Sequence, residues 1–276
     1  MTEANLSLQV LTHDVPLWVQ GVIIVIVAEI YAVGLMLLTR YVYGVSRLSL
    51  NNEVAGFKFA VVGVFYAVTL AFVVIAVWED YRDTEAAVRN EAKATVDLFR
   101  VAEALPEEGT EIREALVKYV KDVRDHAWGA MALGDRSTVV GADLKRLDEA
   151  VFALQPDDQR ETALYHHALV LLAVISDNRN ERLDSAAGSV PAILWFVLIV
   201  GGLITLGYPA FFAASNLVAQ VLMTASLAAL VAMSLLLGLA FDFPFTGDPH
   251  IPQAPFDDAL TQMLAPGTTG RGTDTP

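Results

Sequence analysis

Four stretches of this chain, residues 17–38, 54–78, 190–212 and 217–241, hold 95 residues and only two charges, Glu29 and Lys58. An α-helix rises 1.5 Å per residue, so about 20 apolar residues cross a hydrocarbon layer of roughly 30 Å. Each stretch is long enough to do so. The first is not read as a signal peptide, because the tail before it has no Lys or Arg and carries Glu3 and Asp14. Trp18, Tyr41, Tyr43, Trp78, Tyr208 and Phe211–Phe212 sit at the ends of the stretches, where aromatic rings anchor a membrane interface. Gly201, Gly202 and Gly207 in the third stretch allow a neighbouring helix to come close.

The rest of the chain is charge-rich. The net charge is −14 and the isoelectric point about 4.6, with no basic patch, so nucleic acid is not an expected partner. There is no cysteine, which excludes disulfides, thiol catalysis and thiolate metal sites. Residues 79–189 contain 14 Lys+Arg and 23 Asp+Glu. Their apolar residues recur at helical spacing. No Gly or Pro lies between Gly63 and Pro106, which predicts one helix from about Val54 to Leu105, roughly 75 Å long. A second helix is expected after a Thr110 cap, with Ile112, Leu116, Tyr119, Val120, Val123 and Ala127 on one face. A loop is expected around Gly134–Gly141. A third helix shows Leu144, Leu147, Val151 and Leu154, and a fourth runs from an Asp157 or Asp158 cap to about Ala187. Gly188 and Pro191 mark a kink before the third span.

The fold class expected is an all-α membrane protein, with four transmembrane helices and a helical bundle inserted between the second and third spans. Its parts are an N-terminal tail (1–16), a first transmembrane hairpin (17–78), an extramembrane helical bundle (79–189), a second hairpin (190–241) and a Pro-rich, partly disordered C-terminal tail (242–276). Phe256–Leu264 in that tail is a short amphipathic piece.

No catalytic signature is present: there is no P-loop, no G-x-S-x-G and no H-E-x-x-H, so an enzyme is not expected. His166 and His167 point to different sides of a helix and His126 lies on another, so neither a metal site nor a cofactor is expected. Glu29 is the sharpest single residue. A lone charge near mid-membrane costs at least a few kcal/mol, so it must face the bundle interior, carry a proton or pair. Lys58 lies about 6 Å inside its span against roughly 14 Å for Glu29, so the two either bridge or Lys58 snorkels outward. Phe65 and Phe72, seven residues apart on one face, are candidates for an apolar pore constriction; the blander reading is lipid contact. Arg82 beside Glu79, Asp80 and Asp83, and Arg179 and Arg182 beside Glu181 and Asp184, form either salt bridges between antiparallel helices or an ion-selecting vestibule.

Several segments resemble the bestrophin-like family of bacterial membrane proteins. These are N-E-V-A-G-F (Asn52–Phe57), A-F-V-V-I-A-V-W-E (Ala71–Glu79), R-N-E-R-L (Arg179–Leu183), T-L-G-Y (Thr205–Tyr208), N-L-V-A-Q-V-L-M-T-A (Asn216–Ala225) and D-F-P-F-T-G-D (Asp242–Asp248). Their order covers about residues 17–264. The resemblance implies a distant relation to bestrophins, pentameric anion channels whose second span lines the pore. Their calcium clasp is a dense acidic run after the last span. Only Asp248, Asp257 and Asp258 are available here, so no calcium site is carried over. The function expected is an oligomeric ion channel, for anions, with an inorganic ion as ligand. The alternative is a non-conducting membrane sensor or scaffold whose bundle binds a partner protein. The expected place is a bacterial inner (plasma) membrane, with the lipid bilayer and further copies of the chain as partners. Arg40 and Arg47 in the short loop 39–53 argue for that loop in the cytoplasm. The resemblance argues for a cytoplasmic bundle, and the reading leans that way.

Overall fold

In the computed structural model, residues 15–105 and 109–265 are described. They form α-helices, one π-helical turn and one 3₁₀ turn, and contain no strand. The chain divides into two compact units, one of residues up to Asp83 with Ser185–His250, the other of Thr84–Asp184 with the segment from Ile251 on.

The first unit contains α1 (Leu17–Tyr43), the short α2 (Val45–Ser49) and the first part of α3 (Asn52–Glu103). It continues with α8 (Ala192–Gly207), a 3₁₀ turn (Tyr208–Phe211) and α9 (Leu217–Asp242). α1, α3, α8 with its 3₁₀ turn, and α9 are each long and apolar enough to cross a membrane. Their shared core gathers Tyr66, Leu70, Val73 and Val77 of α3 with Ala32, Trp195, Leu198, Leu206, Ala228 and Val231. The spacing of the four α3 residues puts them on one stripe. Tyr66 lies directly on Gly201 and Gly202: a Cβ at either would stand 2.9–3.0 Å from the phenol. The glycines are therefore what lets α3 and α8 touch.

Where the apolar helices end, side chains from other helices hold the connectors. Arg40 Nη1 donates to Ala214 O (2.8 Å) and Gln220 Oε1 (2.6 Å), and Gln220 Nε2 donates to Phe212 O. Asn52 exchanges two hydrogen bonds with the backbone of Ala213, and Thr39 Oγ1 donates to Ala210 O. At the other end, Gly188 takes φ +84°, a conformation L side chains rarely adopt, and Pro191 precedes α8. The buried Asp242 carboxylate closes that turn. Its Oδ1 accepts the backbone N–H groups of Ser189 and Val190, both at 2.9 Å, and its Oδ2 accepts Trp195 Nε1 at 2.9 Å.

The second unit holds the rest of α3, α4 (Gly109–Asp122), a π turn (Val123–Ala127), α5 (Trp128–Ala132), α6 (Thr138–Phe152), α7 (Gln159–Ser185) and α10 (Ala254–Leu264). Two expectations need correction. The loop placed at Gly134–Gly141 ends at Ser137, whose hydroxyl caps α6 by accepting Val140 N–H, so Gly141 lies inside the helix. Thr110 is not a cap but the second residue of α4, and its hydroxyl accepts from Arg113. The π turn had no expectation at all. The cap at Asp158 is present as a reciprocal box: Asp158 Oδ1 accepts Glu161 N–H, and Glu161 Oε2 accepts Asp157 N–H. α10 buries Phe256, Ala259, Leu260 and Met263, and Trp128 Nε1 donates to Ile251 O just before it. The disorder expected from Ala265 falls almost wholly on residues outside the described ones.

Asp242 gives a direct test of this construction. Asp242→Ala strands three N–H donors, two of them in buried hydrogen bonds, and should cost about 2–4 kcal/mol. Asp242→Asn, which keeps an acceptor, should cost less. Thermal unfolding in detergent reads both, and an unchanged midpoint for Asp242→Ala would refute the role assigned to the carboxylate.

Candidate functional site

The face of α3 opposite its core stripe carries large apolar side chains that none of the described residues covers. Phe57 is 74% exposed, Phe65 73% and Phe72 70%. Val61, Val64 and Val68 lie exposed between them. Lys58, Phe65 and Phe72 follow one another at seven-residue steps, two helical turns each, so they share one flank of the helix. The two phenylalanines stand about 10 Å apart along the axis.

The two charges inside the four apolar stretches are not brought together. Glu29 is half-buried on α1 and Lys58 is exposed on α3. Among the described residues, neither has an ion pair or a hydrogen bond. Lys58 borders a groove of about 460 Å³ that reaches to Tyr208 and Phe211. Phe59, on the core side of the same helix turn, meets Tyr208 and Phe212 at ring-centroid distances of 5.9 Å each. The connector clamped by Arg40, Asn52 and Gln220 thus shapes the surroundings of Lys58.

The three arginines singled out from the sequence, Arg82, Arg179 and Arg182, have different settings. Arg82 is exposed and lies 5.0 Å over the Trp78 ring. Arg179 is half-buried, with its Nε enclosed and without a hydrogen-bond partner among the described residues. Arg182 is fully buried. Its Nε and Nη2 grip Glu91 Oε2 and Oε1 at 2.7 and 2.9 Å, and Tyr119 Oη donates to the same Oε1 at 2.6 Å. The rings of Trp128 and Phe256 lie 5.6 and 5.8 Å from the guanidinium carbon. Burial disfavours the Arg182 charge, but the Glu91 carboxylate more than restores it, and its pKa is raised. Burial, then the charge of Glu91, push the Tyr119 phenol well above its usual value. Asp184, two residues after Arg182, pairs with Arg136 at 2.7 Å.

Glu91 has no place in the sequence reading, and Tyr119 is placed there only on the inner face of its helix, where it is indeed buried, not as a hydrogen-bond partner. The signal was present for Glu91: it stands at a core position of α3, between the buried Val88 and Thr95, where a solvated acid would not be placed. Arg40, a loop charge by the sequence pattern, is a helix residue with two neutral acceptors.

A family model described as a Bestrophin-like domain matches residues 26–256. No curated protein matches the chain. Among solved structures, a bacterial Bestrophin homolog from Klebsiella pneumoniae matches with a TM-score of 0.66 and 14% identity, covering 87% of this chain and 97% of that one. A single-substitution variant of it gives 0.68 at 14% identity over 87% and 97%. Another gives 0.68 at 13% over 89% and 99%. At such identity the likeness is one of fold.

The buried cluster predicts a non-additive mutational pattern. Arg182→Met alone leaves Glu91 charged and unpaired and should cost about 3–5 kcal/mol. Adding Glu91→Leu should recover much of that loss in a denaturation cycle. Tyr119 favours the folded state while it keeps its proton. Stability should therefore fall as pH rises above the usual phenol value of 10.0, and Tyr119→Phe should flatten that limb. Strictly additive single mutants would rule out the cluster as one unit.

Proposed function

Because the chain belongs to the Bestrophin-like family, whose model covers residues 26–256, we propose that it is an oligomeric channel for small inorganic anions in a bacterial inner membrane. The fold shared with the Klebsiella pneumoniae Bestrophin homolog supports this reading. The observation that carries it is the uncovered flank of α3, with Phe65 and Phe72 each at least 70% exposed. In this reading the four apolar helices span the bilayer, residues 79–189 form the inserted bundle, and α3 from each copy faces a common axis. Phe65 and Phe72 then form two apolar rings that gate by excluding water. Lys58 lies at one mouth and contributes a positive potential there. Glu29 is the second charged candidate on the pathway. Arg82 and Arg179 are the vestibule candidates, whereas Arg182 is spent on Glu91.

Planar-bilayer recording of purified protein tests the proposal. Wild type should give currents whose reversal potential in a chloride gradient follows the anion. Phe65→Ala and Phe72→Ala should each raise the conductance severalfold by widening an apolar constriction. Lys58→Glu should weaken anion preference. No current across voltages, or a cation-following reversal potential, would overturn the proposal.

In the same reading the bundle faces the cytoplasm. The absence of cysteine makes this simple to test. Lys145→Cys, at a position whose side chain is 77% exposed, should react with a membrane-impermeant maleimide only after cells are opened. Labelling of intact spheroplasts would reverse the orientation.

A further inference from the structure

The end of the first unit where α3 begins carries two cations that its own acids do not neutralise. Lys58 and Arg47 are exposed, and among the described residues neither side chain has an ion pair or a hydrogen bond. The only acid in residues 39–58 is Glu53, and residues 208–216 contain none. Lys58 opens onto the groove of about 460 Å³. Two more polar groups border it, the Asn51 side-chain amide and the Tyr208 hydroxyl, and neither has a hydrogen-bond partner among the described residues. Leu48, Val54 and Phe211 supply apolar wall, the last two 59% and 58% exposed. The first N–H groups of α3 lack intrahelical acceptors and add partial positive charge at the same end.

A cationic, hydrogen-bonding head above an apolar track matches an amphiphile with an anionic head and a hydrocarbon tail. The membrane supplies such a molecule at high local concentration. We propose that this groove binds one anionic phospholipid, its phosphate held by Lys58 with Asn51 and Tyr208, and its acyl chain laid along Val54 and Phe211. Arg47 adds charge at the rim. A zwitterionic lipid fits less well, because it brings a cation of its own to a site that already holds two and has only Glu53 to offer. The site does not depend on ion conduction, since it needs only the membrane level of α3 and the geometry of one protomer.

Native mass spectrometry of the full chain in detergent, titrated with phosphatidylglycerol or with phosphatidylcholine of the same acyl composition, tests it. Phosphatidylglycerol should bind in clear excess. Lys58→Ala should reduce its binding about fivefold, the scale expected for one basic residue beside an anionic headgroup. Lys58→Arg should retain it, which separates loss of charge from loss of fold. Phe211→Ala should weaken binding of the lipid without changing its preference for phosphatidylglycerol. Millimolar inorganic phosphate should fail to compete. Equal binding of the two lipids, phosphatidylglycerol binding indifferent to Lys58→Ala, or displacement by inorganic phosphate would overturn the proposal, the last by marking a bare anion site.

Discussion

A backbone in hydrocarbon has no water to turn to, so each of its polar groups needs a partner within the protein. Helices meet that demand for themselves, and the difficulty falls on the places where they stop. Two such places in the first unit are residues 186–191 and 208–216, and both are held by side chains sent from elsewhere. Asp242, the last residue of α9, collects the N–H groups that precede α8. Arg40, Thr39, Asn52 and Gln220 collect the carbonyls of the 208–216 connector. The second set has a further effect. By fixing the connector it sets Tyr208 and Phe212 against Phe59 and leaves a groove on the other side of the connector, beside Lys58. The surroundings of the one cation within the spans thus follow from how a backbone reversal is satisfied.

The same division explains what could be read from sequence. The span-length helices were legible, because length and apolarity are properties of one segment. So was α3 as a single helix, since no residue between Gly63 and Pro106 interrupts it. Partnerships were not legible. The run from Arg179 to Asp184 was visible as a cluster of charge, but nothing in it shows that Arg182 lies against Glu91, ninety-one residues earlier. Arg40 counted equally with Arg47 toward topology, although one is anchored to Gln220 and the other is free in the described protomer. The misplaced loop has a local cause: two glycines suggested one irregular stretch, and the Ser137 cap between them ended it early. The π turn at 123–127 left no mark, because an extra residue in a helix shifts its face without changing its composition. The exposed flank at Phe65 and Phe72 was visible as a stripe, but one chain cannot show what covers it.

The net charge of −14 does not argue against anion passage. At physiological ionic strength the screening length is about 8 Å, so exposed carboxylates on the surface fade within a few water layers. A charge within a span acts through a medium of much lower dielectric constant and counts for far more. Only Glu29 and Lys58 are in that position. Lys58 reaches the interface and can be met by water or phosphate. Glu29 cannot, since it is too far from the end of α1. A carboxylate there, half-uncovered and without a partner among the described residues, would be costly against lipid tails. The cost disappears if a neighbouring copy covers it or if a water-filled pathway wets it. The oligomer proposed above would supply either, whereas a lone protomer would have to keep Glu29 uncharged, the other course open to it from the sequence.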